Sequence, residues 1–180
     1  LRDVGLYEIS IPLLEESWSA DLPLDFLGRV AQDWVGSVIF GLGAESGARE
    51  IATHLSKRAY ELGASFCSDL CDMWLEWGFF AEAEPLALFV HEKQPGEVSA
   101  LFHLVICAKM RLAWDEAQTW LKKLDAHRGH EASPDPSIEW NRALLAVAKH
   151  DWSQARQAWQ SVGFQFPQDS HQMADQDYAT

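Results

Sequence analysis

A chain of 180 residues, 48% of them apolar and nine of them tryptophan, carries enough hydrophobic surface for one folded domain and is not a disordered segment. Twenty-seven acidic residues against 14 Lys and Arg leave a formal net charge of −13, a field that repels phosphate backbones and anionic lipid surfaces and so argues against nucleic acid as a partner. The carboxylates are dispersed along the chain, which reads first as a solvated exterior and second as a surface for a basic partner.

Residues 1–62 form the first region, an N-terminal arm followed by capping helices. The phrase Leu6-Tyr-Glu-Ile-Ser-Ile11 alternates apolar and polar residues, so an extended arm, a loop or a turn of helix are all open. Pro12 and Pro23 punctuate the beginning. Leu24 to Phe40 and Ser46 to Leu62 then read as two helices, the second starting at a serine cap, and together they make a hairpin that precedes the repeats. The chain opens on Leu1 and lacks the basic and then apolar layout of a secretory signal, so the expectation is a segment trimmed or excised from something longer.

Residues 63–162 carry a repeat. Three phrases are alike: Gly78-Phe-Phe80-Ala-Glu-Ala83, Leu112-Ala-Trp114-Asp-Glu-Ala117 and His150-Asp-Trp152-Ser-Gln-Ala155, each with an aromatic three residues before an alanine. Ala83 and Ala117 are 34 residues apart, and Ala117 and Ala155 are 38 apart. Helix-favouring composition marks 64–77, 80–94, 97–111, 114–127, 137–149 and 152–162. Asp115, Glu116 and Asp151 stand where carboxylates favour a helix start. The extra residues of the longer interval fit the segment from Asp125 to Pro136, whose glycine and two prolines break helical periodicity. Residues 163–180 are polar and read as a flexible tail.

With these residues in place the chain resembles the tetratricopeptide repeat family, whose unit of 34 residues is a helix, a turn and a second antiparallel helix. The first unit matches best, with Leu70, Cys71 and Trp74 in the first helix and Pro95 after the second. The second keeps Leu101, Leu104, Trp114 and Ala117 but has Val105 where a small residue is preferred. The third keeps Ala143, Trp152 and Ala155. The resemblance implies an all-α fold, an α-solenoid of about three such hairpins behind an N-terminal helical cap.

Side chains able to do chemistry are few and scattered. Cys67 and Cys71 share one helix face, as two ligands of a metal site would, but no companion pair exists and Cys71 occupies the repeat's small packing position; core packing is the better reading, and Cys107 reads the same way. His127, His130 and Glu131 have a spacing that zinc accepts, in what reads more simply as a polar loop. The remaining histidines adjoin no nucleophile motif, and phosphate-loop, zincin and EF-hand signatures are missing. The expectation is no enzyme, no catalytic residue, no metal and no cofactor. Three cysteines in an apolar chain imply a reducing, cytoplasmic compartment, and no apolar run approaches the roughly 18 to 20 residues of a membrane span, so no membrane insertion is expected.

Function then rests on the groove that the resemblance implies, lined by the first helix of each hairpin. Its positions fall on Ser65, Ser68, Asp72, Leu75 and Glu76, then on Ser99, Phe102, Ile106, Lys109 and Met110, then on Ser137, Trp140, Leu144, Val147 and Ala148. Lys109 is the only cation among them, which disfavours clamping of an acidic C-terminus. Phe102, Ile106, Lys109, Met110, Trp140, Leu144 and Val147 are the predicted partner-binding residues, suited to an amphipathic or hydrophobic segment of another protein. The same side chains would equally be covered by the N-terminal helices, the tail or a second copy of the chain, and a homodimer is one such outcome. An adaptor or chaperone is the leading expectation, with a loose resemblance to the chaperones of type III secretion translocators; a scaffold subunit of a larger assembly is the alternative, and an enzyme or small-ligand protein the third.

Overall fold

The computed structural model describes residues 7–41, 43–128 and 134–164, and every described element is helical. They are α1 (Tyr7–Ser19), α2 (Leu24–Gly36) running into a π-helical turn (Ser37–Gly41), α3 (Glu45–Leu62), α4 (Ala64–Glu76), α5 (Phe80–Lys93), α6 (Val98–Met110), α7 (Trp114–Arg128), α8 (Pro136–Ala148) and α9 (Trp152–Ser161). The chain divides after Arg128 into two compact units.

Each repeat phrase begins at a helix-reversing residue. At Gly78 the backbone turns left-handed, φ +76°, the Gly78 N–H donates to the Leu75 carbonyl at 3.1 Å, and the Phe79 N–H reaches back to Trp74 at 2.7 Å. Leu112 (φ +60°) and His150 (φ +59°) repeat this pair of bonds, to Lys109 and Ala108 and to Val147 and Ala146. This is the Schellman closure, in which a left-handed residue lets two otherwise orphaned carbonyls find donors. Phe80, Trp114 and Trp152 are then the first residues of the returning helices α5, α7 and α9. Three residues on, Ala83, Ala117 and Ala155 are buried against the outgoing helix. A small side chain there lets the helices approach closely; the Cys71 thiol lies 3.4 Å from the Ala83 carbonyl.

In the first unit α4/α5 and α6/α7 pack in succession, with α3 against α4 and α5, α2 against α3 and α4, and α1 against α2 and the π turn. The core runs through Trp18, Leu27, Trp34, Leu55, Phe66, Leu70, Trp74, Phe79 and Leu86. Trp74 is fully buried, and its indole N–H is satisfied by Ser56 Oγ of α3 at 3.1 Å, whose own hydroxyl donates to Ala52 at 2.8 Å. Arg58 donates to the Ala20 carbonyl at 3.0 Å and lies over the Trp18 ring, tying α3 to the end of α1. In the second unit α8 and α9 bury mainly small residues, Ala143, Ala146, Ala155 and Ala158, with Ile138 and Leu145.

Several sequence expectations are corrected. Of the three alternatives open for Leu6 to Ile11, Tyr7 to Ile11 takes the helical one, and Pro12 does not punctuate: it is the sixth residue of α1, where the missing N–H removes one helical bond, that to Glu8. Packing of buried Trp18 and Ser10 holds the helix through it. Pro85 sits at the same depth in α5. The helix of Leu24 to Phe40 widens after Gly36, where Ser37 turns its hydroxyl onto the Asp33 carbonyl at 2.7 Å and lies 3.4 Å from Ser10 Oγ. Ser46 is not the cap of α3; the helix already starts at Glu45 after Ala44, because Gly43 (φ +63°) reverses the chain immediately before it. Asp125 to Arg128 continues α7, and α8 starts with Pro136 in its first turn behind an Asp135 cap that accepts from Ser137 and Ile138. The expected tail from Gln165 onward lies outside the described residues.

Candidate functional site

Helical spacing decides what the first unit presents. In α4, Ser65, Asp69, Asp72 and Glu76 recur at intervals of three and four and form one exposed stripe, opposite buried Phe66, Cys67, Leu70, Cys71 and Trp74. In α6, Ala100, Leu101, His103, Leu104, Val105, Cys107 and Ala108 are buried, while Phe102, Ile106 and Lys109 are half-buried and Met110 is 48% exposed. Two contacts hold these stripes side by side. Ser68 Oγ lies 3.1 Å from Ser99 Oγ, and His103 Nε2 lies 2.6 Å from Asp72 Oδ1. A carboxylate only accepts, so the imidazole donates from Nε2. The Asp72 side chain keeps 61% of its surface in solvent while its buried partner fixes its position.

The charges on this face are not all comfortable. Burial, and then the neighbouring Asp72 carboxylate, hold the Asp69 carboxyl above the usual range. Desolvation pulls the Lys109 ammonium below its ordinary value. The cysteines are buried in the core, with Cys67 pushed up to about 11 and Cys107 to about 12 by burial, and Cys71 raised further for the same reason. A thiol that resists ionisation is a packing residue and a poor nucleophile or ligand.

In the second unit Trp140, Leu144 and Val147 fall on one face of α8. Leu144 and Val147 are half-buried and Trp140 is 50% exposed. Its ring lies 6.0 Å from Trp159, which in turn lies 6.3 Å from Phe164 beyond the end of α9. The predicted residues thus form two continuous rows, four on α6 in the first unit and three on α8 in the second. Phe164 was not legible, because it follows the end of α9; the chain returns it through Gly163 (φ +82°), whose closure repeats the two backbone bonds of the hairpin turns. The pairing of Asp72 with His103 was equally hidden, since nothing in either helix marks the other as its neighbour.

His127 is helical, its Nδ1 2.9 Å from the Lys123 carbonyl one turn back, and not part of a loop. His130 and Glu131 lie outside the described residues. Among the described residues no group of three or more His, Cys, Asp and Glu is placed to hold a metal ion, and no helix is long and apolar enough to cross a membrane.

No family model and no curated protein matches the sequence. Solved structures do match. The structure titled MamA MSR-1 C2 is 18% identical, with a TM-score of 0.56 over 88% of this chain and 86% of that one. MamA AMB-1 P212121 is 18% identical, with a TM-score of 0.54 over 96% of this chain and 89% of that one. MamA is a tetratricopeptide-like helical repeat protein. The fold here is tetratricopeptide-like. At this level of identity the likeness is one of fold alone, and the narrower resemblance to type III secretion chaperones draws no support from it.

Proposed function

We propose that this chain is a protein-interaction module in which each unit by itself offers a helical row to an apolar or amphipathic segment of a partner, Phe102, Ile106, Lys109 and Met110 on α6 in the first unit and Trp140, Leu144 and Val147 on α8 in the second. The observation that carries the reading is the composition of α6: of the six residues that it does not bury, four are apolar, Val98, Phe102, Ile106 and Met110. Such side chains gain roughly 25 cal/mol for each Å² of apolar surface that a partner removes from water.

A permanent scaffold role is favoured by one separate feature, the further aromatic surface of the second unit, where Phe164 is 50% exposed and Trp152 is 62% exposed. Purification from the source cells separates the two. A client adaptor is expected to carry partner protein in variable, substoichiometric amount, and a scaffold subunit a fixed ratio. Replacing Phe102 and Trp140 together by serine abolishes the association in either case while the helical circular dichroism stays unchanged. Association that survives the double replacement removes the proposal.

A further inference from the structure

The apolar row of α6 does not stand alone, because the exposed positions of the helix beside it carry only oxygen and negative charge. The α4 sequence contains no Lys or Arg, and its exposed stripe is Ser65, Asp69, Asp72 and Glu76. A partner segment broad enough to cover Phe102 and Ile106 also meets α4, since packed helices lie about 8 to 10 Å apart and a helix with its side chains is about 10 to 12 Å across. An entirely apolar segment would strip water from these carboxylates without replacing it, and an uncompensated carboxylate is costly to desolvate.

We propose that the segment bound on the first unit is a basic amphipathic helix, laying its apolar face on Phe102 and Ile106 and its Lys or Arg side chains on Asp69 and Asp72. This rests on the interaction reading given above and names the partner's chemistry. The spacing supports it: Asp69 and Asp72 are one helical turn apart, so cations three or four residues apart on a partner helix reach both. Asp72 is already oriented by buried His103, which lowers the ordering cost of an ion pair there. The repulsion between Asp69 and Asp72 is relieved by an arriving cation. The overall charge of −13 adds long-range steering of a basic segment toward the protein.

Other charges set the register. Lys109, half-buried at the far end of the α6 row, disfavours a partner cation at that end and leaves Met110 for an apolar contact. Helix α2, which packs on α4, exposes Asp25 and Arg29 and half-buries Asp33, both signs together, so it adds no net preference comparable to that of α4.

A displayed library of amphipathic helices, one face Leu and Phe, the other drawn from Lys, Glu, Gln and Ser, is selected on the full chain. The expected winners carry Lys residues three or four apart and bind about tenfold more tightly than their Gln versions, an advantage that falls with added salt. Asp69→Asn with Asp72→Asn erases that advantage, leaves the Gln versions binding as before, and leaves circular dichroism unchanged. Winners that carry Glu or no preferred charge, yet are lost on Phe102→Ser with Ile106→Ser, overturn the basic partner and keep the interaction face. Winners that survive Phe102→Ser with Ile106→Ser, or no winners at all, overturn both.

Discussion

In the α4/α5 hairpin the turn at Gly78 carries Trp74 and Phe79 into the interior, whereas in α8/α9, closed by the same two backbone bonds at His150, Trp140 and Trp152 stay half or more in water. The turn therefore fixes the hairpin but not what the hairpin buries. Trp74 is enclosed because a third helix reaches it: Ser56 of α3 meets its indole nitrogen. The second unit closes on alanines instead, which need little cover, and its large rings are left on the rim. One repeat plan thus yields a core aromatic in one place and an exposed aromatic in another.

Substitutions at the two sets should separate them sharply. Trp74→Ala empties a fully enclosed site and is expected to cost about 3 to 5 kcal/mol in denaturant unfolding. Ser56→Ala removes the acceptor for the same indole and leaves its buried N–H unpaired, an expected loss of about 1 to 3 kcal/mol. If instead Ser56→Ala is neutral, the enclosure of Trp74 by α3 is wrong.

The thiols of the first unit give the comparison a pH axis. Cys67 rises to about 11 from an ordinary 9.0, so between these values the unfolded chain has released a proton that the folded chain retains. Stability is fully present below pH 9 and falls as pH climbs through about 11. Thermal unfolding of wild type and Cys67→Ala across this window measures it, with the slope smaller in the variant.

Turn strain gives a smaller effect. Leu112 and His150 hold the left-handed conformation that Gly78 adopts without penalty, so Leu112→Gly and His150→Gly should each stabilise by up to about 1 kcal/mol. Smallest of all, Trp152→Ala is expected to change stability by no more than about 0.5 kcal/mol, because the ring is 62% exposed. A cost like that of Trp74 would show that this ring is a core residue after all.

Most helix boundaries in the repeats were legible because each phrase begins at a reversing residue and places its aromatic at the first position of the next helix. The alanine three residues later reports close packing, so spacing together with helix-favouring composition located both helices of each pair. What escaped has a common cause. Helix α1 and the π turn depend on tertiary contacts, Ser10 to Ser37 and Trp18 to Arg58, that override the local signal of Pro12. The row Phe102, Ile106, Lys109 and Met110 comes from the positions that the tetratricopeptide resemblance assigns to a groove; in the structure the first three are half-buried and Met110 is exposed. The carboxylate beside it acquired meaning only through His103, thirty-one residues away and buried.

The central claim is that a partner protein lies on the α6 row and not on the returning helices. A photo-crosslinking amino acid placed at Phe102, and in a second variant at exposed Leu88 of α5, tests it in the source cells. The account predicts a discrete adduct from position 102 and none from position 88. An adduct from 88 with none from 102 would contradict it.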